Sequence, residues 1–260
     1  MARVSVATVA QAPTVAPAEA HAHFRSGGGI TRRVVGGDRV PLRLHLHELA
    51  AGDTLTLAPP HHAIVVNVWT GPVTAGPTIL PAGSTALVER GGSLSLVAQE
   101  PARVLVFTSA SPGNACSEGR VHLLPADRVP RCADLGGSSG VGGGMHADAS
   151  MPTCPVWLHE NTLPGLPPDT LDSGAGVHCH SEDEIIFVID GEIRLGNRIS
   201  GPGTALFIAA GTMYAFLPGP AGLHFINFRA ARPGDIRFAR GQVVDEVAYW
   251  ADRLPRPQYL

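Results

Sequence analysis

Short apolar runs broken by turn residues recur along the chain. The run Ile185-Ile186-Phe187-Val188-Ile189-Asp190-Gly191 reads as a buried strand closed by a turn. In Arg43-Leu44-His45-Leu46-His47-Glu48 leucine alternates with polar residues, which suits a strand with one apolar and one polar face. Glycine (31) and proline (23) are abundant, and with short apolar runs between them they predict many strands and turns. The best helix candidate is Gly241 to Arg253. There Val243, Val244, Val247, Ala248 and Ala251 approximate a helical stripe, with Asp245 and Glu246 in its early part. Such a helix would pack on the body of the protein or on a partner subunit. The expected class is all-β with a short C-terminal helix.

The strand pattern repeats. A shift of 120 residues carries Gly71, Gly76, Gly83 and Gly91 onto Gly191, Gly196, Gly203 and Gly211. The same shift carries Val65-Val66-Asn67-Val68 onto Ile185 to Val188, and Ser84 to Val88 onto Thr204 to Ile208. Val104-Leu105-Val106-Phe107 resembles Phe225-Ile226-Asn227-Phe228 within a residue of that shift. Turn glycines at fixed intervals between apolar strands indicate one unit used twice.

One segment carries metal-site chemistry. His178-Cys179-His180 is followed by Glu184 and Gly191, spaced H-x-H-x3-E-x6-G. Two histidines two apart on an extended segment project to the same face, and Glu184 lies beyond a short polar corner, Ser181-Glu182-Asp183. Two imidazoles and a carboxylate with open positions are the ligand set of mononuclear iron oxygenases and related sites. The competing reading, surface polar residues at a strand start, fits the buried strand that follows less well.

This spacing resembles that of the cupins, small antiparallel barrels with a metal site in the mouth. Their first motif, G-x5-H-x-H-x3-4-E-x6-G, is matched except at its opening glycine, where Asp172 stands; Gly174 and Gly176 follow just after. Their second, G-x5-P-x-G-x2-H-x3-N, is recognisable in Gly203 and Gly211. It departs at Ala209 for proline, Tyr214 for the fourth ligand histidine and Pro218 for asparagine. The resemblance implies two cupin barrels (double-stranded β-helix, or jelly-roll) in tandem, a bicupin. Its expected parts are a flexible arm over 1–26, an N-terminal barrel over 27–110, a Gly/Ser-rich linker over 111–151, and a C-terminal barrel with the helix over 152–260. In the first barrel Ala58, Pro60, Ile64 and Leu94 stand where the second has His178, His180, Glu184 and Tyr214. None of the four can bind a metal, so the first barrel is expected to be structural. The pair His61-His62 falls in the corner between strands, and the structural reading is taken for His45 and His47. The linker could also be a lid over the second barrel's mouth.

Composition narrows the chemistry. There is no lysine, which removes a lysine Schiff base, a phosphate-loop lysine and a lysine general base. No G-x-G-x-x-G sits between a strand and a helix. A formal charge of −3 and the absence of a basic run give no reason to expect nucleic acid. No stretch approaches the roughly 20 apolar residues that span a bilayer. Residues 1 to 20 are too weakly apolar for a secretory signal, so a cytoplasmic location is expected. Cys116, Cys132, Cys154 and Cys179 show no C-x-x-C spacing; Cys116 and Cys132 could pair across a loop, although a cytosolic chain would keep them reduced.

The expectation is therefore one divalent metal ion per chain on His178, His180 and Glu184, with Tyr214 as a tentative fourth position. Fe(II) is favoured among Fe(II), Mn(II), Ni(II), Co(II) and Zn(II). The expected activity is that of a non-haem iron oxygenase on a small, oxygen-chelating molecule, with Glu184 and Tyr214 in the catalytic set. A redox-neutral isomerase, lyase or cyclase is the alternative, and a ligand-binding sensor without turnover the third. Tyr214 could be a ligand, a hydrogen-bond donor to bound substrate, or a wall residue. His159 and His224 could reach the same cavity as a fourth ligand or an acid/base group, or be ordinary hydrogen-bonded histidines. Barrels could pair within the chain or across a homodimer.

Overall fold

The computed structural model describes residues 4–37, 40–109, 119–135, 141–171 and 176–260. The chain forms two compact units. An N-terminal unit gathers Gln11–Val129, Ala149–Val156 and Pro257–Leu260, and a C-terminal unit gathers Met1–Ala10, Pro130–Asp148 and Trp157–Arg256.

The N-terminal unit has two antiparallel sheets. One orders Val121–Leu124, Thr85–Val88, Ile64–Thr70, Ala102–Ser109, Leu42–Leu49 and Ile30–Val35; the other orders Ala22–Ser26, Thr54–Leu57, Leu94–Ala98, Val73–Ala75 and Thr78–Leu80. Alternate residues of both sheets meet in one core, including Leu55, Leu57, Ile64, Val66, Leu94, Leu96, Val104 and Val106. Burial of this apolar area is what drives the layers together.

The C-terminal unit has a long antiparallel sheet that orders Val4–Thr8, Thr204–Ile208, Glu184–Leu195, Leu217–Arg229, Trp157–Leu163, Gly142–Asp148 and Arg131–Cys132, with Arg198–Ser200 beside Glu184–Leu195. A small sheet of His178–His180, Asp235–Phe238 and Val243–Asp245 completes it. Its core holds Ile186, Val188, Ile193, Leu206, Ile208, Tyr214, Leu223 and Phe225. Among the described residues of both units the sheets are open layers and do not close into barrels by hydrogen bonding. Among the described residues no helix is long and apolar enough to cross a membrane.

The turn glycines related by the 120-residue shift share a backbone conformation. Gly71, Gly76, Gly83 and Gly91 have φ of 72°, 56°, 84° and 79°; Gly191, Gly196, Gly203 and Gly211 have 74°, 57°, 80° and 68°. These are left-handed values that L side chains resist. Gly71 and Gly191 also share a steric need, because a Cβ would come within 2.4 Å of the Pro101 carbonyl oxygen or 2.2 Å of that of Gly222.

The segment boundaries differ from expectation. Within the arm, Val4–Thr8 pairs in full register with Thr204–Ile208, and Ala22–Ser26 pairs with Thr54–Leu57. A β-branched segment supplies the hydrogen bonds that an open edge lacks. Within the linker, Val121–Leu124 pairs with Thr85–Val88, and Gly142–Asp148 pairs with Trp157–Leu163. The glycines there are dictated by packing. A Cβ on Gly143 would strike Leu135 Cδ1 at 2.0 Å, and one on Gly144 would strike Glu160 Oε1 at 2.6 Å. The remainder of the Gly/Ser tract, 136–140, lies outside the described residues, as do Cys116 and the Asp172 and Gly174 of the first motif. Cys132, Cys154 and Cys179 are free thiols.

The helix is shorter than its stripe suggested, Glu246–Ala251, because Val243–Asp245 is a strand. Asp245 caps it, accepting a hydrogen bond from the Ala248 N–H at 2.9 Å. The helix buries Glu246 and Trp250, whereas Val243 is exposed.

Candidate functional site

His178–His180 is held open-handed by its neighbours. The His178 N–H donates to the Tyr214 carbonyl at 3.0 Å, and the Tyr214 N–H donates back to the His178 carbonyl at 2.9 Å. This isolated bridge sets Tyr214 directly opposite His178, with ring centres 4.8 Å apart. The Gly211 N–H donates to the His180 carbonyl at 2.8 Å, so the left-handed turn glycine fixes the second histidine. Strand alternation turns Cys179 the other way, into a buried position, and the two imidazoles stand 5.3 Å apart, nearly perpendicular.

Glu184 opens the strand Glu184–Leu195 and is buried. Its Oε2 accepts a 2.6 Å hydrogen bond from Asn227 Nδ2, lies 3.4 Å from Arg229 Nη2, and is 3.8 Å from His180 Nε2. Its Oε1 is buried with no hydrogen-bond partner. Asn227 and Arg229 alternate with Phe225 on Leu217–Arg229 and share its inward face. Arg229 is wholly buried and ion-paired through Nη1 to Glu246 Oε2. The same Glu246 oxygen lies 3.0 Å from His180 Nδ1, with Arg229 Nη2 also 3.0 Å from that nitrogen.

These contacts bear on which donor atoms remain free. His178 Nδ1 lies 3.1 Å from the Gly176 carbonyl, which can only accept, so its proton sits on Nδ1 and Nε2 keeps a lone pair. His180 Nδ1 faces both the Glu246 carboxylate, which accepts, and an Arg229 N–H, which donates; in the tautomer that gives its proton to Glu246, Nε2 is free on the side of Glu184. Burial lowers the pKa of His178, a trend the Gly176 contact opposes and the charge of His180 reinforces. Burial alone would raise Glu246, but Arg229 and His180 outweigh it and hold the carboxyl far below the usual range. Burial, then the charge of Glu184 and a hydrogen bond to it, push Tyr214 well above the ordinary phenol value, so it is neutral. One guanidinium thus faces two buried carboxylates.

The four sequence-derived residues His178, His180, Glu184 and Tyr214 are therefore brought together. His159 is near but differently employed. The Trp157 indole N–H donates to its Nδ1 at 2.8 Å, and its ring lies 4.7 Å from that of Trp250. The remaining nitrogen carries the proton of the neutral ring, which leaves no lone pair for a fourth ligand. Burial holds its pKa at about 3, with Glu246 opposing. His224 does not reach the cavity. It alternates away from Leu223 and Phe225 and faces Glu160, 3.4 Å off, which also meets Arg131 and His146. Sequence reasoning missed Arg229, Glu246 and Asn227. An arginine on the inward parity of a strand was the available signal; Glu246 had none, since an acid in a first helical turn is ordinary.

The donor set, two imidazoles and a carboxylate, suits a divalent cation by atom type. As placed, the donors stand apart. Among the described residues no three His, Cys, Asp or Glu side chains are drawn together tightly enough to hold an ion. At the corresponding positions of the N-terminal unit, Ile64 and Leu94 are built into the apolar core.

No family model and no curated protein matches the sequence. Solved structures do. YlbA from E. coli is 12% identical with a TM-score of 0.65, over 87% of this chain and 90% of that one. HEPD from Streptomyces albus, solved with 2-hydroxyethylphosphonate and Fe(II) bound, is 10% identical with a TM-score of 0.62, over 88% and 76%. Oxalate decarboxylase from Bacillus subtilis, whose Mn(II) centres were studied, is 13% identical with a TM-score of 0.60, over 93% and 79%. These are cupin-fold proteins, and at such identities the likeness establishes the cupin fold.

Proposed function

We propose that this chain is a metal-dependent bicupin enzyme acting on a small, oxygen-chelating organic substrate. One divalent ion per chain would be held by Nε2 of His178, Nε2 of His180 and the carboxylate of Glu184. The observation that carries this reading is the pattern of satisfied and unsatisfied atoms: each histidine has its Nδ1 engaged, while Glu184 Oε1 is buried without a partner. Bound there, a divalent metal supplies Lewis-acid polarisation of substrate oxygens and an open position for dioxygen or water.

The chain's own groups do the rest. Glu246 and the Gly176 carbonyl hold the imidazoles, and Asn227 fixes Glu184. Ile186, Val188 and Phe225 form an apolar wall, with Phe216 packed against it, that excludes bulk water. Tyr214 holds a neutral O–H, hydrogen-bonded to Glu184, between His178 and Phe216; redirected from Glu184, it would donate a hydrogen bond or a proton to a substrate oxygen.

Fe(II) and an oxygenase reaction are the leading assignment, in keeping with the iron-bound neighbour. A redox-neutral isomerase, lyase or cyclase is the second reading, favoured by the buried acid/base pair of Tyr214 and Glu184. Oxygen uptake by Fe(II)-loaded protein, stoichiometric with consumption of a candidate hydroxy or oxo acid, supports the first. Turnover of substrate without oxygen uptake supports the second. Bound metal without turnover across these substrate classes supports a binding protein instead.

A further inference from the structure

The N-terminal unit contains a cationic cluster that the proposed metal chemistry does not use. Arg43, His45 and His47 alternate along Leu42–Leu49 and so share one face. His45 and His47 lie opposite Val106 and Val104 of the core, and opposite Arg33 and Thr31 on the other side. The face is therefore the inner one. His21, in a left-handed conformation, joins it from the other sheet's entry; its carbonyl accepts from the Ala58 N–H at 2.8 Å, and its ring meets that of His62 edge-on at 4.9 Å. Ala58 and Pro60 correspond to His178 and His180 of the repeat, so the cluster lies at the same end of its unit as the candidate site does in the other.

Its polar atoms are buried and unsatisfied. Arg43 Nε, both nitrogens of His45, Nε2 of His47 and both nitrogens of His62 have no hydrogen-bond partner. His45 is only 1% exposed, whereas His21 and His62 are half-buried and His61 is exposed, which gives a path inward. Buried groups of this kind are nearly always paired, so six such nitrogens in one place mark an absent partner. The charges acting on these rings come from cations: His61 and Arg43 on His21; Arg43, Arg33 and His21 on His45; and His21, His61 and Arg43 on His62. Burial first, and then those cations, hold His45 and His62 at about 4. Arg33 is ion-paired to Glu19 at 2.9 Å.

A cation would meet repulsion from Arg43, and no three side chains here are set to hold a metal. An anion would meet N–H donors and a guanidinium. We propose that Arg43, His45 and His62, with His21 at the rim, bind a small oxyanion, the terminal group of a carboxylate or phosphate compound.

The test is calorimetric titration of the full-length, metal-stripped protein with inorganic phosphate and with succinate, at constant ionic strength. Saturable binding of either, one equivalent per chain, is expected; the tighter of the two identifies the anion's chemistry. Arg43→Gln and His62→Gln, both at partly exposed positions, should each weaken it by about tenfold or more. Arg43→Lys should restore part of the loss, and His180→Ala should leave it unchanged. Absence of saturable binding to both anions, or binding indifferent to Arg43→Gln and His62→Gln in folded protein, would overturn the proposal. So would a zinc equivalent lost in His62→Gln when neither anion binds.

Discussion

The Oε2 atom of Glu246, on the C-terminal helix, lies 3.0 Å from Nδ1 of His180, 66 residues earlier in the chain. A carboxylate on the distal nitrogen fixes the ring's tautomer and orientation and raises the basicity of the other nitrogen. Glu246→Gln should therefore lower metal affinity by about 10–100-fold with the fold intact. Competition titration against a chelating indicator measures this, and unchanged affinity would make the contact merely structural.

Tyr214 faces the imidazoles but holds its proton because of burial and Glu184. Tyr214→Phe should leave metal content nearly unchanged and lower turnover by about 10²–10⁴-fold, the range for a lost acid/base group. Metal loss in this variant would reveal a ligand, and full turnover would reduce the ring to packing.

Arg229 is buried between Glu184 and Glu246 and pairs with both. Arg229→Met would leave both carboxylates without it, a loss of about 3–5 kcal/mol by the usual cost of a broken buried ion pair. Urea denaturation of metal-free protein reads the loss directly. Saturating divalent metal should recover part of it, because a ligand that binds only the native state stabilises by mass action.

What the sequence made legible was local or periodic. His178, His180 and Glu184 lie within seven positions, and Tyr214 could be counted from Gly203 and Gly211, whose turns the structure contains. What it hid was long-range. Val4–Thr8 finds its partner at Thr204–Ile208, and nothing in its five residues names that edge. Arg229 reaches His180 across 49 residues, so its place in the site depends on tertiary pairing. Gly143 and Gly144 misled by composition: glycine reads as flexibility, but here, within a strand, it makes room for Leu135, Trp250 and Glu160.

Acid should destabilise the fold through its buried histidines. Burial, and then the charge of His45, lower His47 from 6.5 to about 3 in the folded chain. Below 6.5 the unfolded chain takes up a proton that the native one refuses, so stability falls as pH drops from 6.5 toward 3. His47→Gln should make that fall shallower by about one proton, or roughly 1.4 kcal/mol per pH unit. Urea titrations at a series of pH values check it, and parallel pH profiles for the two proteins would contradict it.

The central claim is a single metal centre on His178, His180 and Glu184. Its most direct test is elemental analysis of purified protein, alongside His178→Ala, His180→Ala and His61→Ala. The account predicts one divalent ion per chain in the wild type and His61→Ala, and none in the other two. Two ions per chain, no ion in metal-supplemented wild type, or an ion retained in His180→Ala would contradict it.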